Sequence, residues 1–361
     1  MQYFIMIIKI LILSSAVAAL LVFTGNKISI PHFVVRIALM IVLCFEVLSL
    51  FKRIFYDSSV KVYYKNICLL FASIFILFIF LELVFMFVPR SHYNAASHGS
   101  KIWHTYYWNP VNTYGFRDKE PQQSDSTLLF VGDSFTAGWG IKNVSNRFSD
   151  IVDNKLDGFH SINIGVPGVD THREYTIMNE FINNSGIRPS KIILQHFGDD
   201  IREAAFRNNK YDYRHKYGYN IPKVLRHIIQ RSCLLDYLYW SYPRGDNKSF
   251  FDFFYQAYTD SLIFSEHLKD LQKFIDYSND NSIELIVVLF PFMQALDISK
   301  DLYINNLIAF FDNHNIITID VTTLVKDLEL KERVVNRYDA HASKLVNQKV
   351  ADEIIKIIKN K

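Results

Sequence analysis

Three stretches of the chain, Phe4 to Phe23, Phe33 to Phe51 and Ile67 to Val88, are nearly unbroken runs of apolar residues. Each is close to the roughly 20 residues a helix needs to cross the hydrocarbon of a bilayer, so the pattern predicts three transmembrane helices. Arg36 and Glu46 interrupt the second run and Glu82 the third, near ends from which polar side chains reach the interface. Lys9 and the small residues from Ser14 to Ala19 also give the first run the look of a signal peptide, but further apolar runs follow at once.

From Pro89 onward the pattern is different. Apolar runs of strand length, Thr127 to Val131, Ser161 to Ile164, Lys191 to Phe197, Ile283 to Phe290 and Ile316 to Ile319, alternate with amphipathic segments of helix length. The helices expected are Arg147 to Leu156, Thr171 to Asn183, Ser261 to Tyr277, Ser299 to Asn313 and Ser343 to Ile358, several opened by a Ser or Thr cap. This alternation predicts an α/β fold, a three-layer α/β/α sandwich around a five-stranded parallel sheet. Between Asp200 and Asp260 it gives way to an aromatic, basic stretch holding Tyr211, Tyr213, Tyr217, Tyr219, Tyr237, Tyr239 and Tyr242. We read that stretch as a helical insertion beside the site, with contact to the membrane as one role for it. The expected organisation is a membrane domain over 1–88, a connecting segment over 89–126 and a soluble domain over 127–361 with the insertion at about 201–260.

Lys52, Arg53, Lys61 and Lys65 lie between the second and third runs, against Lys27 alone between the first and second. The positive loop belongs in the cytoplasm, which sends everything after Val88 outside. Glu82 is expected either to pair with Arg36 or to sit as an interfacial carboxylate.

Composition narrows the function. Of 361 residues, 50% are hydrophobic, 15% aromatic and 21% charged, which excludes disorder, collagen and coiled coil. A net charge of +3, with no dense basic stripe, does not describe a nucleic-acid partner. Cys44, Cys68 and Cys233 have no metal-ligand spacing, and no metal or cofactor is implied.

Ligands of open parallel sheets collect at the carboxyl ends of the strands, so the turns after the strands hold the candidates. The first turn, Gly132-Asp133-Ser134-Phe135-Thr136-Ala137-Gly138, presents a serine beside backbone N–H groups, which suits a nucleophile and half of an oxyanion hole. The same residues also suit a plain helix N-cap. The second turn carries Asn163, Gly165 and Gly168, and the third reads Gln195-His196-Phe197-Gly198-Asp199-Asp200. Near the C-terminus Asp339 stands two residues before His341, ahead of the last helix. A serine needs a base and the base an orienting group, and Ser134, His341 and Asp339 would supply that triad.

These blocks resemble the SGNH, or GDSL-type, hydrolase superfamily, from about Asn109 to the C-terminus. The resemblance implies a flavodoxin-like sandwich with Ser134 as nucleophile, His341 as base and Asp339 as its partner. It further implies the N–H groups of Ser134 and Gly168 as oxyanion donors, with Asp133 and Asp200 as further contacts to substrate. The segment from Asn112 to Arg117 is similar to one that precedes the first block in membrane-linked bacterial members. Asp199 departs from the pattern, because the family has there an Asn that donates to the oxyanion. An ionised Asp199 cannot donate, so either an apolar site holds it protonated or the hole has two donors. The implied function is a membrane-anchored esterase acting on ester groups, O-acetyl above all, on the periplasmic face of a bacterial cytoplasmic membrane. The implied partners are envelope glycan or lipid-linked saccharide and membrane lipid. Two alternatives stay open: an O-acyltransferase that modifies envelope glycan, and a non-catalytic glycan-binding or scaffold protein.

Overall fold

The structure is a computed structural model and describes residues 30–57, 61–93, 95–124, 126–208, 221–242 and 247–360. They fall into two compact units, one holding 30–90, 95–105 and 221–242, the other 91–93, 106–208 and 247–360.

The second unit is built on five parallel strands: β1 (Thr127–Val131), β2 (His160–Asn163), β3 (Lys191–Phe197), β4 (Glu284–Phe290) and β5 (Ile317–Asp320). Five strands are what the alternating pattern predicts, with boundaries shifted by one residue at three of them, and they lie in the order β2-β1-β3-β4-β5. Burial on both faces explains why the strands read as continuous apolar runs. Along β4, Leu285, Val287 and Leu289 enter the core beneath the helices Thr171–Ser185 and Ser261–Asp280, while Ile286, Val288 and Phe290 enter the core beneath Phe148–Lys155 and Lys344–Lys359. The strand order reverses between β1 and β3, which opens a crevice at their carboxyl ends.

Caps set the helix starts. Asp170, Asp260 and Ser343 each accept backbone N–H groups from the first turn that follows. The helix expected from Ser299 begins earlier, at Leu296, and runs through a π turn at Lys300–Ile304 into Asn305–Asp312. Ser299 does not cap it; its Oγ donates to Ala295 O and accepts from Phe292 N, so the residue sits inside the turn. An antiparallel hairpin, β6 (Val334–Asn336) and β7 (Asp339–Ala342), stands where the pattern predicts only a turn before the last helix.

In the first unit, helices cover Ile30–Tyr56 and Val62–Phe85. The first predicted span, Phe4 to Phe23, lies outside the described residues, as do Tyr211, Tyr213, Tyr217 and Tyr219. Among the described residues one helix, Val62–Phe85, is apolar and long enough to cross a membrane by length and composition, with a mean hydropathy of 2.9. Of the three expected spans, the third is therefore the one that a described helix supports. Glu82 stands near the end of that helix, with its carboxylate taken up inside the protein. It is buried and accepts from Ser232 Oγ at 2.8 Å, Cys233 N at 2.6 Å and Leu234 N at 3.1 Å, capping the helix Cys233–Tyr239 from outside.

Candidate active site

β1 ends at Val131, and Gly132 turns the chain against Gln195 of β3. A Cβ on Gly132 would stand 2.3 Å from Thr136 Oγ1 and 2.5 Å from Gln195 Oε1, so the turn closes only around glycine. Fully buried Gln195 accepts from Asp133 N at 3.1 Å, Thr136 N at 3.2 Å and Thr136 Oγ1 at 2.9 Å, which pins the turn to the neighbouring strand. Capping of the short helix Ser134–Ala137 falls to Asp133, whose Oδ1 accepts from Phe135 N at 2.8 Å. Ser134 is thereby left with a different partner.

That partner is His341 on β7, whose Nε2 lies 2.8 Å from Ser134 Oγ. His341 Nδ1 is hydrogen-bonded to Asp339 Oδ1, and Asp339 is buried. The hairpin that carries both residues is held by the segment Ser91 to Tyr93: Tyr93 N donates to Tyr338 O at 3.1 Å, and Asn336 Nδ2 donates to Ser91 O at 3.2 Å. Burial works to lower the His341 imidazole, but the Asp339 carboxylate overrides it and holds His341 above the ordinary histidine value. Asp339 shows the reciprocal balance: burial pushes it up, and the imidazole more than offsets this, leaving it below the usual carboxylate range.

Behind this line the second turn is packed against the first. A Cβ on Gly165 would meet Ala137 N at 2.4 Å, and Asn163 Nδ2 donates to Thr136 O at 2.7 Å while its Oδ1 accepts from Gly165 N. Gly168 has φ +81°, with open space where a side chain would be.

Asp199 is not in an apolar pocket. Its Oδ2 lies 3.2 Å from Arg202 Nη1, and the same guanidinium donates to Gly168 O at 3.3 Å and Val169 O at 3.4 Å. Arg202 therefore ties the third turn to the second and sets a positive charge against a group of acids. Carboxylate oxygens of Asp133, Asp199 and Asp200 lie within 4.8 Å of one another. Burial, then Asp199, pushes Asp133 up to about 7, and burial pushes Asp170 up to about 6. Glu174 and Asp200 are driven well above their ordinary values, first by burial and then by neighbouring carboxylates. Both oxygens of Glu174 are buried without a hydrogen-bond partner.

Asp133 and Asp200, expected as substrate contacts, are 2% and 1% exposed. Each accepts a backbone N–H, Asp133 from Phe135 and Asp200 from Phe197 at 2.7 Å, and so braces its own turn. His196 packs inside the core with its Nε2 2.9 Å from His267 Nε2.

Several supports escaped sequence reasoning. Arg117, fully buried, donates to Gly138 O at 2.6 Å, Ile141 O at 2.7 Å and Tyr107 O at 2.6 Å, closing the loop behind the serine helix. Burial and neighbouring Arg147 pull its guanidinium down to about 9. Its one signal was its place at the end of the Asn112 to Arg117 motif. Gln195 was flagged only as part of the third turn, and Arg202 and Ser91 had no signal, because the partners of all three are far away in the chain.

Fold and site together define an α/β protein with a Ser-His-Asp constellation at the carboxyl edge of a parallel sheet. No family model and no curated relative matches the chain. Solved structures similar to it include lipolytic proteins of the G-D-S-L family. One is a member of the lipolytic G-D-S-L family from Veillonella parvula, with 15% identity and a TM-score of 0.41 over 65% of this chain and 100% of that one. Another is a lipase/acylhydrolase from Enterococcus faecalis, with 14% identity and a TM-score of 0.39 over 65% of this chain and 96% of that one. A GDSL-like lipase from Bacteroides thetaiotaomicron has 11% identity and a TM-score of 0.37 over 65% of this chain and 88% of that one.

Proposed function

We propose that the chain is a membrane-anchored serine esterase of the SGNH type, acting on O-acetyl or related ester groups outside the cytoplasm. The observation that carries this reading is the line from Ser134 Oγ through His341 to buried Asp339, with 2.8 Å between hydroxyl and imidazole. His341 Nε2 takes the hydroxyl proton as Ser134 Oγ attacks the ester carbonyl, and Asp339 stabilises the imidazolium. The N–H groups of Ser134 and Gly168 receive the oxyanion. Collapse expels the alcohol, protonated by His341, and leaves an acyl-serine. Water, deprotonated by His341, then releases the acid; a sugar hydroxyl in place of water makes the same protein an O-acyltransferase. With Asp199 engaged by Arg202, the hole has two donors, and one missing donor costs about 10²–10³ in rate.

A fluorophosphonate probe tests the reading. Wild type is expected to label and to hydrolyse acetyl esters, and Ser134→Ala to do neither. Labelling that persists in Ser134→Ala, or a wild type inert to both, overturns it. Acetyl release that depends on added glycan assigns transfer instead of hydrolysis.

A further inference from the structure

The tie between Glu82 and the segment from Ser232 to Leu234 also fixes a depth. The Glu82 backbone lies about 5 Å, less than one turn, before the end of the apolar helix at Phe85, and its carboxylate holds Ser232, Cys233 and Leu234 near that end. Arg90, just beyond the apolar helix, fastens the far end of the helix Cys233–Tyr239. Its guanidinium donates to Ser241 Oγ at 2.7 Å and Tyr237 O at 2.9 Å and lies 3.7 Å above the Tyr237 ring.

The helix Lys223–Ile229 is bound to that level through its own C-terminus, because Ser232 N donates to both Ile228 O and Ile229 O at 3.2 Å. Ile229 packs on the pair Tyr239 and Trp240. Val224, Leu225 and Ile228 do not pack: they are 72%, 50% and 52% exposed, and their spacing puts them on one face. Lys223 lies on the far side and His227 at the flank of that face, both exposed. A single exposed aliphatic residue is ordinary, but three on one face of a two-turn helix held at the end of an apolar span are not. An apolar face backed by basic residues at headgroup depth matches a helix lying in the plane of a membrane surface with anionic lipid.

We propose that Lys223–Ile229 is an interfacial helix whose Val224, Leu225 and Ile228 insert at the boundary of headgroups and acyl chains. The proposal rests on Val62–Phe85 spanning the bilayer. The insertion then anchors its chain at a second point, and its occupant is lipid.

The test uses the full chain in vesicles of phosphatidylcholine and phosphatidylglycerol, with Cys44→Ser, Cys68→Ser and Cys233→Ala as background. A fluorophore is attached in turn at Leu225→Cys, Ile228→Cys, His227→Cys and, within the span, Leu77→Cys. Positions 225 and 228 are expected to be quenched by lipid carrying a nitroxide near the headgroup, and by aqueous iodide about threefold less than position 227. Iodide reaching 225 and 228 as readily as 227 overturns the proposal. So does protection from iodide without quenching by the lipid nitroxide, which means a protein covers the face. Position 77 separates the two readings: if it is protected while 225 and 228 are not, the span stands and the interfacial helix fails; if iodide reaches it too, both fail.

Discussion

Ser134 and His341 are 207 positions apart in the chain and 2.8 Å apart at Oγ and Nε2. One follows β1 and the other lies on a hairpin outside the sheet, so their meeting depends on every support between them.

Asp339→Asn removes the carboxylate that holds His341 above its ordinary value. A general base works when unprotonated, so the acid limb of kcat/KM in wild type lies above the ordinary histidine value, and activity rises as pH climbs through it. The substitution should move that limb to lower pH and reduce the plateau by about 10³–10⁴ through loss of tautomer and orientation. A pH profile of both proteins on an acetyl ester measures the two effects.

Asp199→Asn should raise kcat, by about tenfold or more, because an amide donates where a carboxylate repels. Arg202→Gln should lower kcat, since it frees the loop carrying Gly168 and leaves Asp199 without its cation. The double variant should recover much of the loss, and the coupling in a double-mutant cycle reads the pair directly. A fall in kcat for Asp199→Asn alone would give the carboxylate a positive part in turnover.

Gln195→Leu keeps the bulk but strips the acceptor from Asp133 N, Thr136 N and Thr136 Oγ1. Three donors left wanting in the interior should cost about 2–3 kcal/mol or more, seen as a lower Tm, and loosening of the serine turn should lower kcat at unchanged KM.

Glu174 is driven above its ordinary value by burial, with Asp133 as the next cause, so the folded chain holds a proton there that the unfolded chain releases above about pH 4.5. The linkage sign follows: the native state binds more protons, so stability declines as pH rises from that point towards the raised folded value. Glu174→Gln should flatten that decline, with a Tm gain over wild type that is larger at pH 8 than at pH 5. Thermal melts across that range decide it.

Much of this protein was legible before any coordinates. Parallel strands buried on both faces leave uninterrupted apolar runs, and β1 and β3 were predicted to the residue. Helix starts are announced locally, so Thr171 and Ser261 open their helices as expected, although Asp170 and Asp260, not the expected Ser or Thr, are the caps. Ser134, Gly168, Asp339 and His341 were singled out because their turns sit next to recognisable strands and helices. Ser299 misled for the same local reason, since a hydroxyl that suits a cap serves equally well inside a turn.

Partnership was the part hidden from sequence. Glu82 meets Ser232, Gln195 meets Asp133, and Arg202 meets Gly168 through contacts between residues 34 to 150 positions apart, and no local pattern of apolar and polar positions encodes which distant donor a buried acceptor will find. Order along the chain follows from short-range periodicity and the burial it permits. The environment of each titratable group, from the ion pair of Asp199 to the desolvation of Glu174 and Asp133, arises only when folding removes water and chooses the neighbours.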